Sequence, residues 1–384
     1  MPQSREALRA LGWDARFDEI LASEAPGLVP GRILTEERGQ YLVATATGDG
    51  PASPSGRMRH DVELDADATW PAVGDWVALE PIALEAIAEA GGSTPDAGRP
   101  GTSPEPHRLI QRVLSRRTAV IRRAPGDRKL PSQVLAANVD TVFVVTSMNA
   151  DFNVRRLERY MTVAWESGAS PVVLLSKADL ASEPERFVAE AGAAAPGVDI
   201  VPVSSVTGEG LDAVRSHLGA GRTVVFTGSS GVGKSSIVNA LAGAPLLETA
   251  SIREDDARGR HTTTRRQLVR LAGALLIDTP GLRELGVMDG DGIAAAFDDI
   301  EGLTAECRFS DCQHRSEPGC AIRAAIAQGT LDRGRLEAWQ KLEREAERAA
   351  MATNGLARRA ERKRWSVIQR SVDVHMRMKY GAER

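Results

Sequence analysis

The sequence predicts a multidomain α/β protein with a small β-barrel, a parallel α/β sheet and a helical metal-binding domain, in that order. Three observations predict it. Short strand-like segments separated by Gly, Pro and Asp occupy residues 27–121. Apolar strands alternate with helices over residues 122–292. Every cysteine of the chain falls within residues 293–384, which otherwise look helical and charged.

Composition narrows the classes of protein that fit. With 384 residues, the chain can form two or three domains. Its formal net charge of -4 argues against binding nucleic acid through overall charge, so such a surface must be a local basic patch. No apolar run approaches the roughly 18 residues of a membrane span, and the N-terminus lacks the apolar core of a secretory signal. A cytoplasmic monomer is expected.

The N-terminal elements follow from residue pattern. Residues 1–26 predict a helical extension in which Leu8, Leu11, Phe17 and Leu21 form one apolar stripe of a short amphipathic helix. The segments ILTEERGQYLVATA, DVELDADATW and GDWVALEPIALEAI predict barrel strands. Residues 88–107, rich in Gly, Pro and Ser, predict a mobile loop.

The second domain predicts buried parallel strands with helices between them. VDTVFVVTSM, PVVLLSKADL, DIVPVSS and TVVFT have the composition of strands, and VRRLERYMTVAWESG that of a helix. After LVRLAGALLIDTPG the strands stop. The order favours an α/β sheet with its polar loops at the carboxyl ends of the strands.

One glycine-rich loop fits the phosphate-binding pattern G-x4-G-K-[ST], between a strand and a helix start. Its backbone N–H groups and the helix N-terminus suit phosphate oxygens. Lys234 is expected to reach the β- and γ-phosphates, and Ser235 to bind Mg²⁺. The nucleotide-binding residues predicted here are Gly228, Ser229, Ser230, Gly231, Val232, Gly233, Lys234, Ser235 and Ser236.

Two downstream segments predict the rest of a phosphate and metal site. Asp278 ends an apolar strand, where a carboxylate can hold Mg²⁺ through water, and the Gly281 N–H can sense the γ-phosphate. A turn after a strand is the structural alternative. Between them, residues 259–264 predict a switch loop in which Thr263 reaches Mg²⁺. An exposed threonine-rich loop remains the alternative there.

Base selection is predicted to come from residues that precede the phosphate loop. Asp179 in SKAD can accept hydrogen bonds from guanine N1–H and the exocyclic amine, with the Lys177 stem on the ring. Ser176 stands where asparagine is usual, which weakens one expected contact to the base or to the phosphate loop. Ser204 and Ser205 end the next strand, as in loops that contact the guanine O6. A surface turn is the alternative for SKAD. In ordinary GTPases these motifs come last, so the order indicates a circular permutation.

The cysteine cluster predicts a zinc knuckle. The spacing C-x4-C-x-H-x5-C offers three thiols and one imidazole, a closed and therefore structural tetrahedral set. Three buried thiols beside a surface histidine are the alternative. The predicted ligands are Cys307, Cys312, His314 and Cys320, with Asp311 and Glu317 as supporting acceptors or solvated groups.

Two basic runs predict an RNA surface. The first spans residues 107–129 at the exit of the barrel, which would be a barrel of the OB type. The second spans residues 358–379 and is interleaved with Trp365 and followed by Tyr380. A solvated helical face explains the second run equally well.

Together the motifs resemble those of the ribosome small-subunit-dependent GTPase A family, RsgA or YjeQ. SKAD, SS, GSSGVGKS, GRHTTT, DTPG and the knuckle occur in that order, and AANVD and VGDWV are similar too. The resemblance implies an OB barrel, a permuted GTPase domain, and late maturation of the small ribosomal subunit with GTPase activity stimulated by that subunit. Leu282 occupies the place of the usual water-orienting glutamine. His261 resembles the switch histidine of the family and is the catalytic candidate.

Two other functions stay open from the residues. An ATP-using P-loop enzyme of another pathway would not need Asp179. A non-catalytic RNA-binding scaffold would keep the nucleotide site without turnover. Preference between GTP and ATP, and turnover with and without small subunits, separate the three.

Overall fold

The structure is a computed structural model that describes residues 2–64, 69–81, 107–122, 133–247, 266–278 and 291–346. Within these ranges no helix is both long enough and apolar enough to cross a lipid bilayer.

The N-terminal extension forms two helices rather than the single helix predicted. Helix α1 (Pro2–Arg9) ends before Gly12, whose φ of 88° interrupts the chain, and Asp14 caps the start of α2 (Ala15–Glu24). A side chain at Gly12 would collide with the carbonyl of Gly221, so this turn also sets how closely the extension approaches the second domain. Phe17 is fully buried.

Five strands close into the barrel that the sequence predicts. They are β1 (Val29–Glu37), β2 (Gln40–Thr45), β3 (Gly48–Pro54), β4 (Trp76–Leu79) and β5 (Arg108–Val113). The order β1-β2-β3-β5-β4 returns to β1, with β3 and β5 parallel and the other pairs antiparallel. Closure removes the free sheet edges.

One predicted barrel strand is wrong. Residues 61–64 of DVELDADATW end helix α3 (Gly56–Leu64), because Met58 buries into the barrel core from a helical start anchored at Ser55. The alternating pattern in this short segment does not distinguish a strand from an amphipathic helical turn. Residues 65–68 and the predicted mobile loop at 88–106 lie outside the described residues.

The second domain carries the predicted parallel sheet. A hairpin of β6 (Ala119–Arg122) and β7 (Gln133–Ala137) leads into it. Its strands are β8 (Thr141–Ser147), β9 (Ser170–Ser176), β10 (Ile200–Val203), β11 (Thr223–Thr227), β12 (Arg266–Leu271) and β13 (Ala274–Asp278). The order is β10-β9-β8-β11-β13-β12, with only β12 antiparallel to its neighbour. All carboxyl ends of the parallel strands therefore meet at one edge.

Helices cover both faces of this sheet. They are α4 (Val154–Glu166), the 3-10 turn η1 (Ala178–Leu180), α5 (Pro184–Ala194), α6 (Leu211–Ser216) and α7 (Lys234–Ala242). Along β8, Val142 and Val144 pack on the side of α4, whereas Phe143 and Val145 pack on the side of α7. The buried residues of β8 therefore form a continuous apolar run instead of an alternating one.

The C-terminal domain is helical in its described part, as predicted. It contains α8 (Asp291–Ala296), α9 (Asp298–Ala305), α10 (Ala321–Gln328) and α11 (residues 333–346). Helix α8 packs directly on α4 of the sheet domain: a side chain at Gly292 would collide with Glu166 and with the Thr162 carbonyl. The helical domain therefore rests against the second domain.

The barrel is joined to the sheet through β1 and β12, which pair at Thr35 with Gln267 and at Glu36 with Arg266. Buried Arg32 strengthens this junction. Its guanidinium donates to the Leu11 carbonyl and, at 2.7 Å, to Thr223 Oγ1. One side chain thus links the N-terminal extension, the barrel and the sheet. Burial lowers the pKa of Arg32 to about 10, which leaves the guanidinium charged at neutral pH.

Candidate nucleotide site and candidate metal centre

The predicted phosphate loop connects β11, the strand at the middle of the parallel sheet, to α7. Gly228 has a φ of 139°, and a side chain there would collide with the Val145 carbonyl of β8. Gly231 and Gly233 also have positive φ angles, of 77° and 94°. These conformations favour glycine, which explains the spacing of the motif.

Lys234, the first residue of α7, folds over the loop. Its Nζ donates to the Gly228 carbonyl at 2.8 Å and to the Ser229 carbonyl at 2.6 Å. The ammonium group therefore lies above the backbone that would surround phosphate oxygens. Ser235 and Ser236 follow in the first turn of α7, half-buried, where the positive end of the helix dipole favours an anion.

Asp278 lies at the same edge of the sheet. It is the last residue of β13, is half-buried, and pairs across the sheet with Gln267 of β12. Strand β13 pairs in parallel with β11. The Asp278 carboxylate at the end of β13 therefore lies at the same edge of the sheet as the phosphate loop, which follows β11. Carboxylate and hydroxyl oxygens from two such loops are ligands that suit Mg²⁺.

The two predicted base-binding segments lie side by side. Strands β9 and β10 pair in parallel with Ser176 opposite Val203, so SKAD and Ser204-Ser205 leave the sheet at the same level. Lys177 adopts the left-handed conformation, with a φ of 59°, which is uncommon for a residue with a side chain. Asp179 follows in η1 and is exposed.

Ser176 connects these segments to the phosphate loop. Its buried hydroxyl bonds to the carbonyl of Val232 and lies 3.2 Å from the carbonyl of Thr146. Serine in place of the usual asparagine was expected to weaken a contact to the phosphate loop. The Ser176 hydroxyl nevertheless makes such a contact. The sequence alone gives no signal for it, because both acceptors are backbone carbonyls.

The loop after β10 is fixed by its own hydrogen bonds. The Ser204 hydroxyl is fully buried and accepts the N–H groups of Val206 at 3.2 Å and Thr207 at 3.1 Å. The Ser204 N–H donates to the Glu209 carbonyl at 3.0 Å, which closes the loop. Ser205 is left half-buried with its backbone at the edge of the site.

The four predicted metal ligands converge. The candidate ligand atoms of Cys307, Cys312, His314 and Cys320 all lie within 4.8 Å of one another. Cys320 Sγ is 3.5 Å from His314 Nδ1 and 4.0 Å from Cys307 Sγ. Tetrahedral Zn²⁺ with S–Zn bonds of about 2.3 Å sets its ligand atoms about 3.8 Å apart. The cluster therefore fits one zinc ion with a closed Cys₃His set.

Glu317 organises the loop that carries this cluster. Its carboxylate accepts backbone N–H groups from Gln313 at 3.1 Å, Arg315 at 2.8 Å and Ser316 at 2.9 Å. Backbone hydrogen bonds, including its own, lower the pKa of Glu317 to about 2. Of the two acids near the knuckle, Glu317 thus takes the supporting role.

Two contacts of the cluster with the helices around it have no signal in the sequence. The Trp339 indole on α11 lies 5.9 Å from the His314 ring, centroid to centroid, and its N–H donates to Glu301 at 3.1 Å. Cys320 also caps α10, since its sulfur accepts the Arg323 N–H at 3.5 Å. The knuckle is therefore held by the helices around it as well as by its ligand set.

The first basic run is only partly available for RNA. Arg116 forms a buried ion pair with Asp75 at 2.6 Å, and Arg117 reaches Asp14 at 3.1 Å. Arg108 is buried and donates to Thr47 at 3.3 Å. The sequence could not show this, because the acidic partners of Arg116 and Arg117 are distant along the chain.

Some predicted residues lie outside the described residues. They are the switch candidates His261 and Thr263, Gly281 with the neighbouring Leu282, residues 123–129 of the first basic run, and the second basic run. The described residues predicted to bind nucleotide or metal group into two sites, one at the carboxyl edge of the sheet and one between α9 and α10.

Comparisons with known proteins give relatives along almost the whole chain. The sequence model of the RsgA GTPase family matches residues 113–288. A protein of Opitutus terrae named small ribosomal subunit biogenesis GTPase RsgA is 42% identical over 367 residues, 94% of this chain and 95% of its own. A protein of Streptomyces coelicolor with the same name is 42% identical over 94% of this chain and 93% of its own.

Solved structures agree on the architecture. YjeQ from Thermotoga maritima superposes with a TM-score of 0.58 at 25% identity, over 83% of this chain and 98% of that chain. YloQ, described as a circularly permuted GTPase, gives a TM-score of 0.55 at 20% identity over 85% of this chain and 97% of that chain. The second likeness concerns the fold alone.

The phosphate loop at the centre of the sheet, preceded in the chain by the strands that carry the base-binding segments, defines a circularly permuted P-loop GTPase. The identity with the Opitutus and Streptomyces proteins covers 94% of this chain and so extends into the barrel and the C-terminal domain. The chain belongs to the RsgA GTPase family.

Proposed function

We propose that this GTPase acts in late maturation of the small ribosomal subunit in the cytoplasm, where it binds the subunit through its RNA and hydrolyses GTP to GDP and phosphate. The relatives are named for small ribosomal subunit biogenesis. The fold supports this through an OB-type barrel and a metal knuckle, both of which suit structured RNA.

One observation carries the nucleotide assignment. The Ser176 hydroxyl bonds to the Val232 carbonyl, so the base-binding segment is tied to the phosphate loop. A single nucleotide can then contact both. Asp179 is proposed to accept the N1–H and exocyclic amine of guanine, with Ser204 and Ser205 at the O6 side.

The phosphate chemistry is assigned to the residues at the carboxyl edge of β11 and β13. Lys234 would leave its two carbonyl acceptors for the β- and γ-phosphates. Ser235 and Asp278, with Thr263 from the switch segment, would hold Mg²⁺, which neutralises charge that develops on the phosphates. Water is the nucleophile, and His261 is the residue proposed to act on it. Gly281 is proposed to sense the γ-phosphate.

The knuckle is proposed to hold one structural zinc ion. Cys307, Cys312, His314 and Cys320 complete a tetrahedral set, and among the residues that the structure describes the cluster contains no fifth ligand. Such a site stabilises the fold of the domain and has no open position for catalysis.

The deciding experiment measures GTP turnover with and without purified small ribosomal subunits. We expect low intrinsic turnover that the subunit stimulates, inhibition by GDP and none by ADP. Turnover in Asp179→Asn should prefer XTP, because an asparagine amide can donate to the second carbonyl of xanthine. Asp212→Asn, an exposed aspartate in α6 of the same domain, is the matched control and should retain GTP preference.

Three results would redirect or contradict the assignment. Competition by ATP as strong as by GTP would indicate an ATP-using enzyme. Absence of turnover with and without subunits would indicate a scaffold that binds RNA without catalysis. Stimulation by the small subunit that survives in Lys234→Ala would contradict the role of the phosphate loop.

A further inference from the structure

The segment VGDWV, residues 73–77, is a motif of the sequence that neither proposed site uses. Its first residues form a buried turn that leads into β4 of the barrel. Asp75 fixes the turn, because its carboxylate accepts the Ala72 N–H at 2.7 Å and pairs with Arg116 at 2.6 Å. The turn therefore has a defined shape that the barrel itself maintains.

Gly74 brings this turn against the sheet domain. Its φ is 91°, and the Cβ of a side chain there would lie 2.3 Å from the Ala137 carbonyl oxygen and 2.7 Å from Ile277 Cδ1. The Ala137 N–H donates to the Val73 carbonyl at 3.0 Å, and the Asn138 amide donates to the Gly74 carbonyl at 3.1 Å. The backbone of the barrel thus approaches both β7 and β13 with no room for a side chain.

Ile277 is the residue next to the proposed metal ligand. It is 1% exposed and packs in one cluster with Val73 and Trp76 of the barrel. Leu276, before it, packs in the other cluster, on the side of α7. Because side chains alternate along a strand, Asp278 points to the side of α7, the helix that follows the phosphate loop. The barrel therefore supports β13 from the face opposite to Asp278.

A second contact of the barrel reaches the same level of the sheet. Thr35 of β1 is opposite Gln267 of β12, and Gln267 is opposite Asp278 of β13. These three residues form a row across strands that lie about 4.8 Å apart. The phosphate loop has a different support, since Gly228 packs on the Val145 carbonyl of β8. The barrel and β8 therefore support different halves of the nucleotide site.

We infer that the barrel positions the metal-binding carboxylate of the GTPase site: the Gly74 turn, packed on Ile277, sets the place of Asp278 relative to the phosphate loop. Gly74 is a positioning residue, because it acts through Ile277. The inference rests on the proposed GTPase site and adds to it a support from outside the sheet domain. Mg²⁺ demands near-ideal octahedral geometry, so its binding is sensitive to where this carboxylate lies.

The test is the Mg²⁺ concentration that half-saturates binding of a fluorescent, non-hydrolysable GTP analogue to the full-length protein. Gly74→Ala needs roughly 1 Å more room beside the Ala137 carbonyl, which moves the turn away from Ile277. The half-saturating Mg²⁺ concentration should rise about tenfold, because Mg²⁺ tolerates little displacement of its ligands. GDP affinity in EDTA should stay within about twofold of that of the unchanged protein, because β8 supports the phosphate loop.

Gly39→Ala is the matched control. Gly39, in the turn between β1 and β2, has a φ of 79°, but a side chain there would meet nothing within 4 Å. This variant therefore carries the backbone strain of Gly74→Ala without its collision. Its Mg²⁺ requirement should equal that of the unchanged protein.

Ile277→Val tests the contact from the other side with a milder change, and it decides the question if Gly74→Ala does not fold. It removes the methyl group that faces Gly74 and should raise the Mg²⁺ requirement about threefold. Ile293→Val deletes the same group from α8 in the same buried cluster and is its control. Both should lower the melting temperature by similar amounts, so only a positioning role separates their Mg²⁺ requirements.

The outcomes separate the inference from the proposed function. If the unchanged protein does not bind the GTP analogue, or binds it without Mg²⁺ equally well, the proposed GTPase site fails first. If binding requires Mg²⁺ and both Gly74→Ala and Ile277→Val match their controls, the support from the barrel is overturned while the site stands. An equal loss of GDP affinity in EDTA would also overturn it, because the barrel would then be needed for the whole nucleotide site.

Discussion

The docking of the C-terminal domain on the sheet domain depends on one buried arginine. Arg335 of α11 is 6% exposed, and it donates to Asp299 at 2.7 and 2.8 Å and to Glu158 of α4 at 2.9 Å. It also donates to the Ala296 carbonyl at 3.0 Å. Replacing Arg335 with methionine keeps much of the apolar volume. Among the residues that the structure describes, it leaves the carboxylate of Glu158, 1% exposed, with Arg155 as its one remaining ion-pair partner.

The size of the effect follows from what each change leaves buried. Breaking a buried ion pair from one side costs about 3–5 kcal/mol. The residual pairing with Arg155 puts Arg335→Met near the lower end, about 3 kcal/mol, which lowers the melting temperature of a domain of this size by about 12 °C. Glu158→Gln removes the buried charge and keeps an acceptor, so its cost should be about 1 kcal/mol or less.

Scanning calorimetry of the full-length protein tests this asymmetry. Arg333→Met, an exposed position on the same helix, is the matched control and should stay within about 0.5 kcal/mol of the unchanged protein. Equal losses in Arg335→Met and Glu158→Gln, or a loss below about 1 kcal/mol in the former, would refute the reasoning that an unpaired buried carboxylate dominates.

The pH dependence of Glu158→Gln gives a second check. Burial raises the pKa of Glu158 above its ordinary 4.5, although both arginines oppose the shift. The stabilisation linked to this raised pKa is present below pH 4.5 and is lost as pH rises through the pKa of the folded state. The free energy of unfolding of Glu158→Gln should therefore rise relative to that of the unchanged protein as pH increases from 4.5 through the folded-state pKa of Glu158.

Substitutions at three other positions test the two sites. Gly228→Ala should reduce GDP affinity by at least tenfold, because its methyl group would meet the Val145 carbonyl and displace the phosphate loop; unchanged calorimetric binding would contradict this. Ser176→Ala should weaken GDP binding about fivefold and Ser176→Asn should restore much of it, since the lost bond to Val232 is worth about 1 kcal/mol; equal affinities in all three proteins would show that the bond is dispensable. Cys312→Ser should lower the zinc content measured by atomic absorption and the melting temperature together, and a full zinc complement in this variant would show that Cys312 is not a ligand.

The sequence predicts the sheet domain well because its signals are local. Apolar runs mark β8 and β9, and the glycines of the phosphate loop mark backbone conformations that few other residues adopt. The spacing of the cysteines likewise predicts a cluster that the structure brings together. In each case the residues that define the feature are neighbours along the chain.

Features that depend on distant partners could not be predicted. The ion pair of Arg116 with Asp75 joins residues 41 positions apart, and the contact of Arg335 with Glu158 joins residues 177 positions apart. Their residue types are common on protein surfaces, so pattern alone assigns them to solvent. The predicted single N-terminal helix failed for a related reason: the turn at Gly12 exists because the chain must approach Gly221 closely.

Chain order and packing together connect the two sites. Strands β9 and β10, which carry the proposed base-binding segments, precede β11 in the chain. After β11 the chain reaches Asp278 at the end of β13, and the helices of the C-terminal domain follow. That domain also packs back on α4, through Gly292 and through Arg335 with Glu158. In the chain, α4 connects β8 to β9, and β9 ends at Ser176. The C-terminal domain is therefore attached to the sheet domain in two ways, by the chain that follows Asp278 and by its packing on α4. A permutation that placed the chain terminus elsewhere would keep only the packed contact.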